Sequence, residues 1–467
     1  DNEGLRDIST KNISIVPLNR APQAVIANAP TDIQAPSTIN LLSGSFDPDN
    51  NLEKLEWTAS TGAMAQGQTF SFDVKDPGQV TVLLKVTDGL GLVSQTTTVI
   101  KASIPPVANP LDIAPAIATD KPTTSEGLLS FLYNSDAVIR DLDEASLIKD
   151  KMGLISGKIL DESNQPIEGA LVRIQDRPEY GHTVSRIDGS YDLVVNPGRY
   201  NIEFVYSGFV PAQRNAKLEN NDFITAQDVI LVKRDSKITE LKLSEISTPV
   251  VAQSSKFEDS RGERFLRTVF RPNTQAVAVL ENGTEVNLDQ MSVILTELSV
   301  GDNGIDKMPL ELPPSSAYTH AYEAVILEAE ALGAKDVKFS KPVIKYTENF
   351  LDFPVGAAIP VGYFDRINGV WVPENDGFVF RFLSSDNNLA KIDVNGDGVE
   401  EDSGTLLAYG IDEEELSTIA NNLVQGESYQ RVLMNHFSSQ DDNLGTQTNS
   451  NTTNNNTGSN SSSNNSG

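Results

Sequence analysis

The sequence predicts a mainly β protein: tandem β-sandwich modules, then a β-rich α+β domain with two or three helices, then a disordered C-terminal tail. Three observations point there. Segments such as "QTFSFDV" from Gln68 and "VTVLLKVTDGLG" from Val80 alternate apolar and polar residues and stop at turns, the period of a half-buried strand. Helical spacing is confined to a few late windows, among them "GIDEEELSTIANNL" from Gly410. From Gly445 to Gly467 only Gly, Thr, Gln, Asn and Ser occur, a composition that buries too little apolar surface to offset the entropy of ordering.

The totals bound the function. A chain of 467 residues suggests about three domains. Its net charge of -29 and pI near 4.4 argue against nucleic acid or an anionic membrane surface as the main partner. With no cysteine, neither disulfides nor thiolate metal sites exist. No apolar run reaches the ~18 residues of a spanning helix, so direct membrane insertion is not expected. The start at Asp1, without Met or a signal peptide, reads as processing or as a piece of something longer.

Taken in order, "DNEGLRDISTKNISIV" (Asp1 to Val16) parallels "DGLGLVSQTTTVIKAS" (Asp88 to Ser103) at one module's distance. Residues 1–19 are therefore read as the remnant of a preceding module, and 20–103 as a complete sandwich with Trp57 in its core. Residues 104–152 read as a Pro-rich linker and a short helical segment. From Gly153, "GLISGKILDESNQPIEGALVRI", "RIDGSYDLVV" and "GRYNIEFVYSGFVP" form a second sandwich, 153–234, with a hairpin-type turn at Asp188-Gly189. The β-rich domain follows at 235–437, and the tail at 438–467.

Within that last domain, Ser315 and Ser316 are read as the start of a helix with Tyr318, Tyr322, Val325, Ala329 and Leu332 on one face, ended by Gly333. Trp371 is a core or rim anchor. Asp412 caps a second helix, Glu415 completes a capping box, and Leu416, Ile419, Ala420 and Leu423 face inward.

Several stretches resemble known families. "SFDPDNNLEKLEW" with "DPGQVTVLLKVTDGLG" resembles PKD and related bacterial Ig-like domains, whose members act as spacers or adhesive segments. Some bind calcium, for which Asp47, Asp49 and Asp88 are candidates, although turn-forming Asp also accounts for them. The second sandwich resembles the carboxypeptidase regulatory-like (transthyretin-like) module, which carries no catalytic group. The segments "MPLELPPSSAYTHAYEAVILEAEALGAKDVKFSKPV", "YTENFLDFPVGAAIPVGYFDRINGVWVPENDG" and "SYQRVLMNHFSSQD" resemble the region preceding the repeats of giant bacterial Rhs/YD-repeat proteins, from about Phe131 to Gln440. That resemblance implies export, an extracellular or bacterial cell-surface location, and a non-catalytic stalk role. The implied partners are neighbouring or downstream domains of a larger protein, and a cell-surface protein or glycan.

Two stretches carry chemistry. In "KIDVNGDGVEEDSG", Asp393, Asn395 and Asp397 supply side-chain oxygens at alternate positions, Gly398 the turn and Val399 a carbonyl, the spacing of an EF-hand-like calcium loop. Asp402 could close the shell, because Gly404 stands where the usual Glu would be. Residues 386–415 hold ten acidic side chains and one basic, Lys391, which favours a structural calcium ion over the other reading, an unoccupied Asn-Gly/Asp-Gly turn. The second stretch, His436-Phe437-Ser438, resembles the autoproteolysis site of GAIN and ZU5-type domains. There Ser438 would attack the Phe437 carbonyl with His436 as general base, while the plainer reading is a last strand running into a linker. A hydrolase has little support: the three histidines do not cluster in sequence and no Gly-x-Ser-x-Gly occurs.

Overall fold

The computed structural model describes residues 18–445 except 62, 75–76, 117–122, 281, 299–304, 313–315, 318–319, 436, 438 and 443. The parallel between Asp1–Val16 and a later hairpin, and the tail beyond Gly445, lie outside them.

The first module is a two-sheet sandwich. One sheet runs Asp32–Gln34, Val93–Ser103, Gly78–Asp88, Leu52–Ala59, Met64–Gln66, and the other pairs Ser37–Leu42 with Thr69–Val74. Alternation in "TFSFDV" turns Phe70, Phe72 and Val74 inward. Trp57 lies in the core as expected, stacked 5.7 Å from Phe70, its Nε1 donating to the Gly67 carbonyl at 2.8 Å. Leu83 breaks the alternation of its strand because the outer face is also covered: it joins the hydrophobic core of the third domain.

The second module packs the sheet His182–Val184, Leu171–Ile174, Gly198–Val205, Ala212–Leu218 against Ser190–Val195, Gly153–Asp161, Phe223–Thr225. Two expectations need correction. Of residues 104–152 the expected short helical segment forms, as Ser125–Tyr133, but the stretch is not a free linker. Ile104 and Val107 are buried in the first core, while Leu129, Leu132 and Tyr133 of helix Ser125–Tyr133 are buried in the second with Val138, Ile139 and Met152. In the helix after Pro122, apolar residues at helical spacing gave Leu129, Leu132 and Tyr133 a face to bury. Asp188-Gly189 does make a tight turn, but not a hairpin. The strand before it pairs with Leu171–Ile174 and the strand after it with Gly153–Asp161, so the chain changes sheet there. Gly189 has φ 77°, and a Cβ would meet the Ile159 carbonyl oxygen at 2.5 Å.

The third domain stacks two larger sheets. One runs Thr239–Lys242, Gln290–Glu297, Ala321–Ile326, Ser439–Asp441, Gly362–Asp365, Val370–Pro373. The other runs Val250–Gln253, Arg267–Phe270, Val343–Glu348, Ser428–Met434, Gly377–Asp386, Ala358–Ile359, with Leu389–Asp393 paired to Gly377–Asp386. Helix Glu413–Asn422 covers the outer face of the second sheet, and Leu416, Ile419 and Leu423 do face inward.

The helix expected from Ser315 and Ser316 to Gly333 is largely absent among the described residues, Ser315 and Tyr318 lying outside them. Ala321–Ile326 is a strand paired on both sides, with Gln290–Glu297 and Ser439–Asp441. A strand buried on both faces shows apolar residues at helical and strand spacings alike, and long-range pairing decided the outcome. Among the described residues of that stretch only Leu327–Ala331 turns helical, before Gly333 at φ 63°. The tail also starts later than residue 438: Ser439–Asp441 and Leu444–Gly445 are strands, because polar residues pair there inside a sheet.

Candidate functional site

The acidic turn forms as a chain of side-chain-to-backbone bonds. Asp393 ends its strand almost fully buried, its Oδ1 accepting the N–H of Asn395 at 3.1 Å and of Gly396 at 2.7 Å, and its Oδ2 that of Gly398 at 2.9 Å. Asn395 Oδ1 accepts from Asp397 N–H and Asp397 Oδ1 from Val399 N–H, both at 2.8 Å. Gly396 and Gly398 sit at φ 83° and 80°, so both bends need glycine. Asp402 serves elsewhere. It caps helix Ser403–Ala408, accepting from Thr405 N–H at 2.8 Å, and the Thr405 and Gly404 amides hold its carboxyl below the usual range. Among the described residues no group of three or more His, Cys, Asp or Glu is arranged to hold a metal ion, so Asp393, Asp397 and Asp402 do not gather into one.

The Asp residues of the first module likewise take turn amides. Asp47 Oδ1 accepts from Asp49 N–H at 2.6 Å, and Asp88 Oδ1 from Leu90 and Leu92 N–H at 2.9 Å, while Asp49 pairs with Arg20 at 2.6 Å. Of the suspected cleavage triplet, His436 and Ser438 lie outside the described residues. Phe437 packs against Phe339 and Phe270, with ring centroids 5.1 and 6.0 Å away.

Spacing in the chain did not reveal a set of charges buried inside the third domain. In Val343–Glu348, Ile344 and Tyr346 face the helix side and Val343 faces the opposite sheet. Alternation therefore aims Lys345 between the sheets. There its Nζ donates to Asp442 Oδ2 and lies 4.5 Å from the Tyr322 ring centre. Asp442 follows Ser439–Asp441, and its N–H donates to the His320 carbonyl at 2.9 Å. His320 Nδ1 stands 3.3 Å from the same Asp442 oxygen, and its Nε2 is 3.9 Å from Glu297 Oε1, which accepts from Arg264 Nε at 2.7 Å. The side chains of Lys345, Asp442 and His320 are each 0% exposed. Burial would raise the Asp442 carboxyl, but Lys345 and His320 outweigh it and hold it below its ordinary value.

Two further buried clusters organise the domain. Arg234 forks onto Glu323 at 2.9 and 3.2 Å and reaches Glu330 at 2.9 Å, while Arg366 reaches Glu323 at 2.6 Å. Glu415 accepts from Arg431 at 2.6 and 3.0 Å, Tyr346 Oη at 2.5 Å and Arg271 at 3.1 Å. That corrects the capping box: Asp412 does accept from Glu415 N–H at 2.9 Å, but the Glu415 carboxylate is committed to the interior.

Comparison with known proteins places one module. Residues 147–231 match the family model described as "Teneurin TTR-like domain". The chain is 26% identical over 146 residues to Teneurin-1 of Gallus gallus, covering 30% of this chain and 5% of that protein. It is 27% identical over 168 residues to Teneurin-4 of Homo sapiens, covering 33% and 6%. Among solved structures, the PKD1 domain of Vibrio anguillarum Epp aligns at 27% identity, covering 19% of this chain and 99% of that one, with a TM-score of 0.16. A transthyretin-like module is therefore present within a multidomain β architecture.

Proposed function

We propose that this chain is a non-catalytic structural or adhesive region of an extracellular multidomain protein, holding its modules in fixed relation. One observation carries the reading: the three β bodies are joined by buried contacts. Gln175 Nε2 and Gln213 Nε2, both in the second module, donate to the Arg366 carbonyl at 2.6 and 3.0 Å. Arg214 donates to the Met308 carbonyl at 2.9 Å, and Leu83 of the first module lies in the third domain's core. Such contacts suit a stiff scaffold better than loosely strung beads. Scanning calorimetry of the whole chain tests this. A single cooperative transition is expected, and three independent ones would refute the scaffold.

The finer reading is the stalk of a bacterial Rhs-type surface protein, supported by the order of the modules and the transthyretin-like match. A structural calcium ion at Asp393, Asn395, Asp397 and the Val399 carbonyl belongs to it, supported by the alternating oxygen side chains and the two glycine bends. Asp402 would have to leave its helix cap to join. Self-cleavage between Phe437 and Ser438 is the other reading, and a single uncut species in an intact mass spectrum would remove it.

A further inference from the structure

We infer that Lys345 and Asp442 are the two halves of an intramolecular amide cross-link, a covalent staple between the sheets of the third domain. This goes beyond the scaffold reading, which needs no covalent bond.

The placement is specific. Lys345 sits inside a strand of one sheet, and Asp442 directly follows a strand of the other, 97 residues further along the chain. Both side chains are fully sealed from solvent. A charged pair in such a site bears the desolvation of two ions, which its mutual attraction only partly offsets. Condensation replaces both charges by one neutral amide and expels a water from a place where bulk water cannot return to hydrolyse it.

The neighbours set up the proton transfers. Lys345 and His320 hold the Asp442 carboxyl below its ordinary value despite burial, so the step starts from the carboxylate. A proton first passes from the Lys345 ammonium to the Asp442 carboxylate, leaving a neutral amine beside a carboxylic acid. Nζ then attacks Cγ, and a C–N bond forms. The proton shed by Nζ passes to the departing hydroxyl, which His320 Nδ1, 3.3 Å from Asp442 Oδ2, holds in place by a hydrogen bond. The C–OH bond breaks and water leaves. The balance is one amine plus one carboxylic acid giving one amide plus one water, with His320 unchanged and no oxidant or cofactor required. Glu297, 3.9 Å from His320 Nε2 and held by Arg264, positions the ring. The Tyr322 ring beneath Nζ and the strands on either side fix the approach, so the step is intramolecular from the outset.

The experiment is an intact mass measurement of the purified full chain under denaturing conditions, followed by proteolysis and fragment sequencing. The expected result is a chain one water lighter than its sequence, with peptides containing Lys345 and Asp442 recovered as one branched species. Lys345→Arg should show the full sequence mass, and Asp442→Asn should lose one ammonia in place of water. A folded wild-type chain of full sequence mass overturns the inference. So does a water loss that maps to a succinimide at an Asp-Gly pair such as Asp397-Gly398. Because the wild-type mass decides by itself, variants that fail to fold leave the test intact.

Discussion

Arg234, at the end of the second module, forks onto Glu323 in the middle of a third-domain sheet, at 2.9 and 3.2 Å, with both side chains almost wholly buried. The pair is a hinge pin between modules. Burial works against each charge. Glu323 and Glu330 nevertheless raise the Arg234 guanidinium, and Arg234 and Arg366 hold Glu323 below the usual carboxylate range. Arg234→Ala removes the two-bond partner of the buried Glu323 carboxylate, leaving Arg366 as its remaining cation, and should cost about 3 kcal/mol, read by urea unfolding of the whole chain. A loss below about 1 kcal/mol would show that the two modules do not depend on it.

The same pair fixes an acid limb. Because the folded Glu323 carboxyl lies below its unfolded value near ~4.3, its contribution is complete above that pH. It is lost as the pH falls through the lower folded value. Stability of the wild type should fall on acidification below about pH 4, and Arg234→Ala should flatten that part of the curve.

Glu328 predicts the opposite slope. It is buried with its carboxylate accepting from Ser292 N–H at 2.7 Å and Ser292 Oγ at 2.8 Å, and burial raises its carboxyl above the ordinary value in spite of those bonds. An acid raised on folding withdraws stability as the pH climbs from its unfolded value through its folded one. Glu328→Gln should therefore raise the melting temperature at neutral pH and leave it nearly unchanged at pH 4. No gain at neutral pH would mean that the two Ser292 bonds already compensate the buried charge.

Glu415 is the interior end of a helix cap and the anchor of Arg431, with Tyr346 on the same carboxylate. Burial first, and the Glu415 charge second, push the Tyr346 hydroxyl well above its normal value. Glu415→Gln keeps the shape but weakens the charge-assisted bonds, each worth about 1.5–3 kcal/mol. Urea unfolding should show a loss of that order, and helix Glu413–Asn422 should exchange its amides faster with solvent.

The acidic turn gives a ligand test. Calcium should raise the melting temperature of the full chain by mass action, and Asp393→Ala should abolish that rise. Asp393→Ala should also lower stability in the absence of the ion, since three backbone amides lose their acceptor. A calcium effect that survives the substitution would move the ion elsewhere.

If the Lys345–Asp442 amide forms, closing so long a loop is worth about 4.7 kcal/mol by chain entropy. Lys345→Arg should then speed unfolding of the third domain as well as restore the sequence mass.

Much of the architecture could be read from the chain itself, because strand alternation, turn residues and helix caps act over a few neighbours. Alternation in "TFSFDV" oriented Phe70 and Phe72, and the Asp-Asn-Asp spacing from Asp393 produced its run of turns. Leu416 and Ile419 likewise showed the inward face of their helix. What spacing could not reveal was anything decided by distant partners. Ala321–Ile326 became a strand because Gln290–Glu297 and Ser439–Asp441 flank it. Lys345, an ordinary lysine in "VIKYTE", became a sealed charge because Asp442 arrives beside it from the end of the domain. Local patterns set which face of a strand turns inward. Only the closing of two sheets over that face decides what it meets, since water is excluded there and each polar group must find a partner far along the chain.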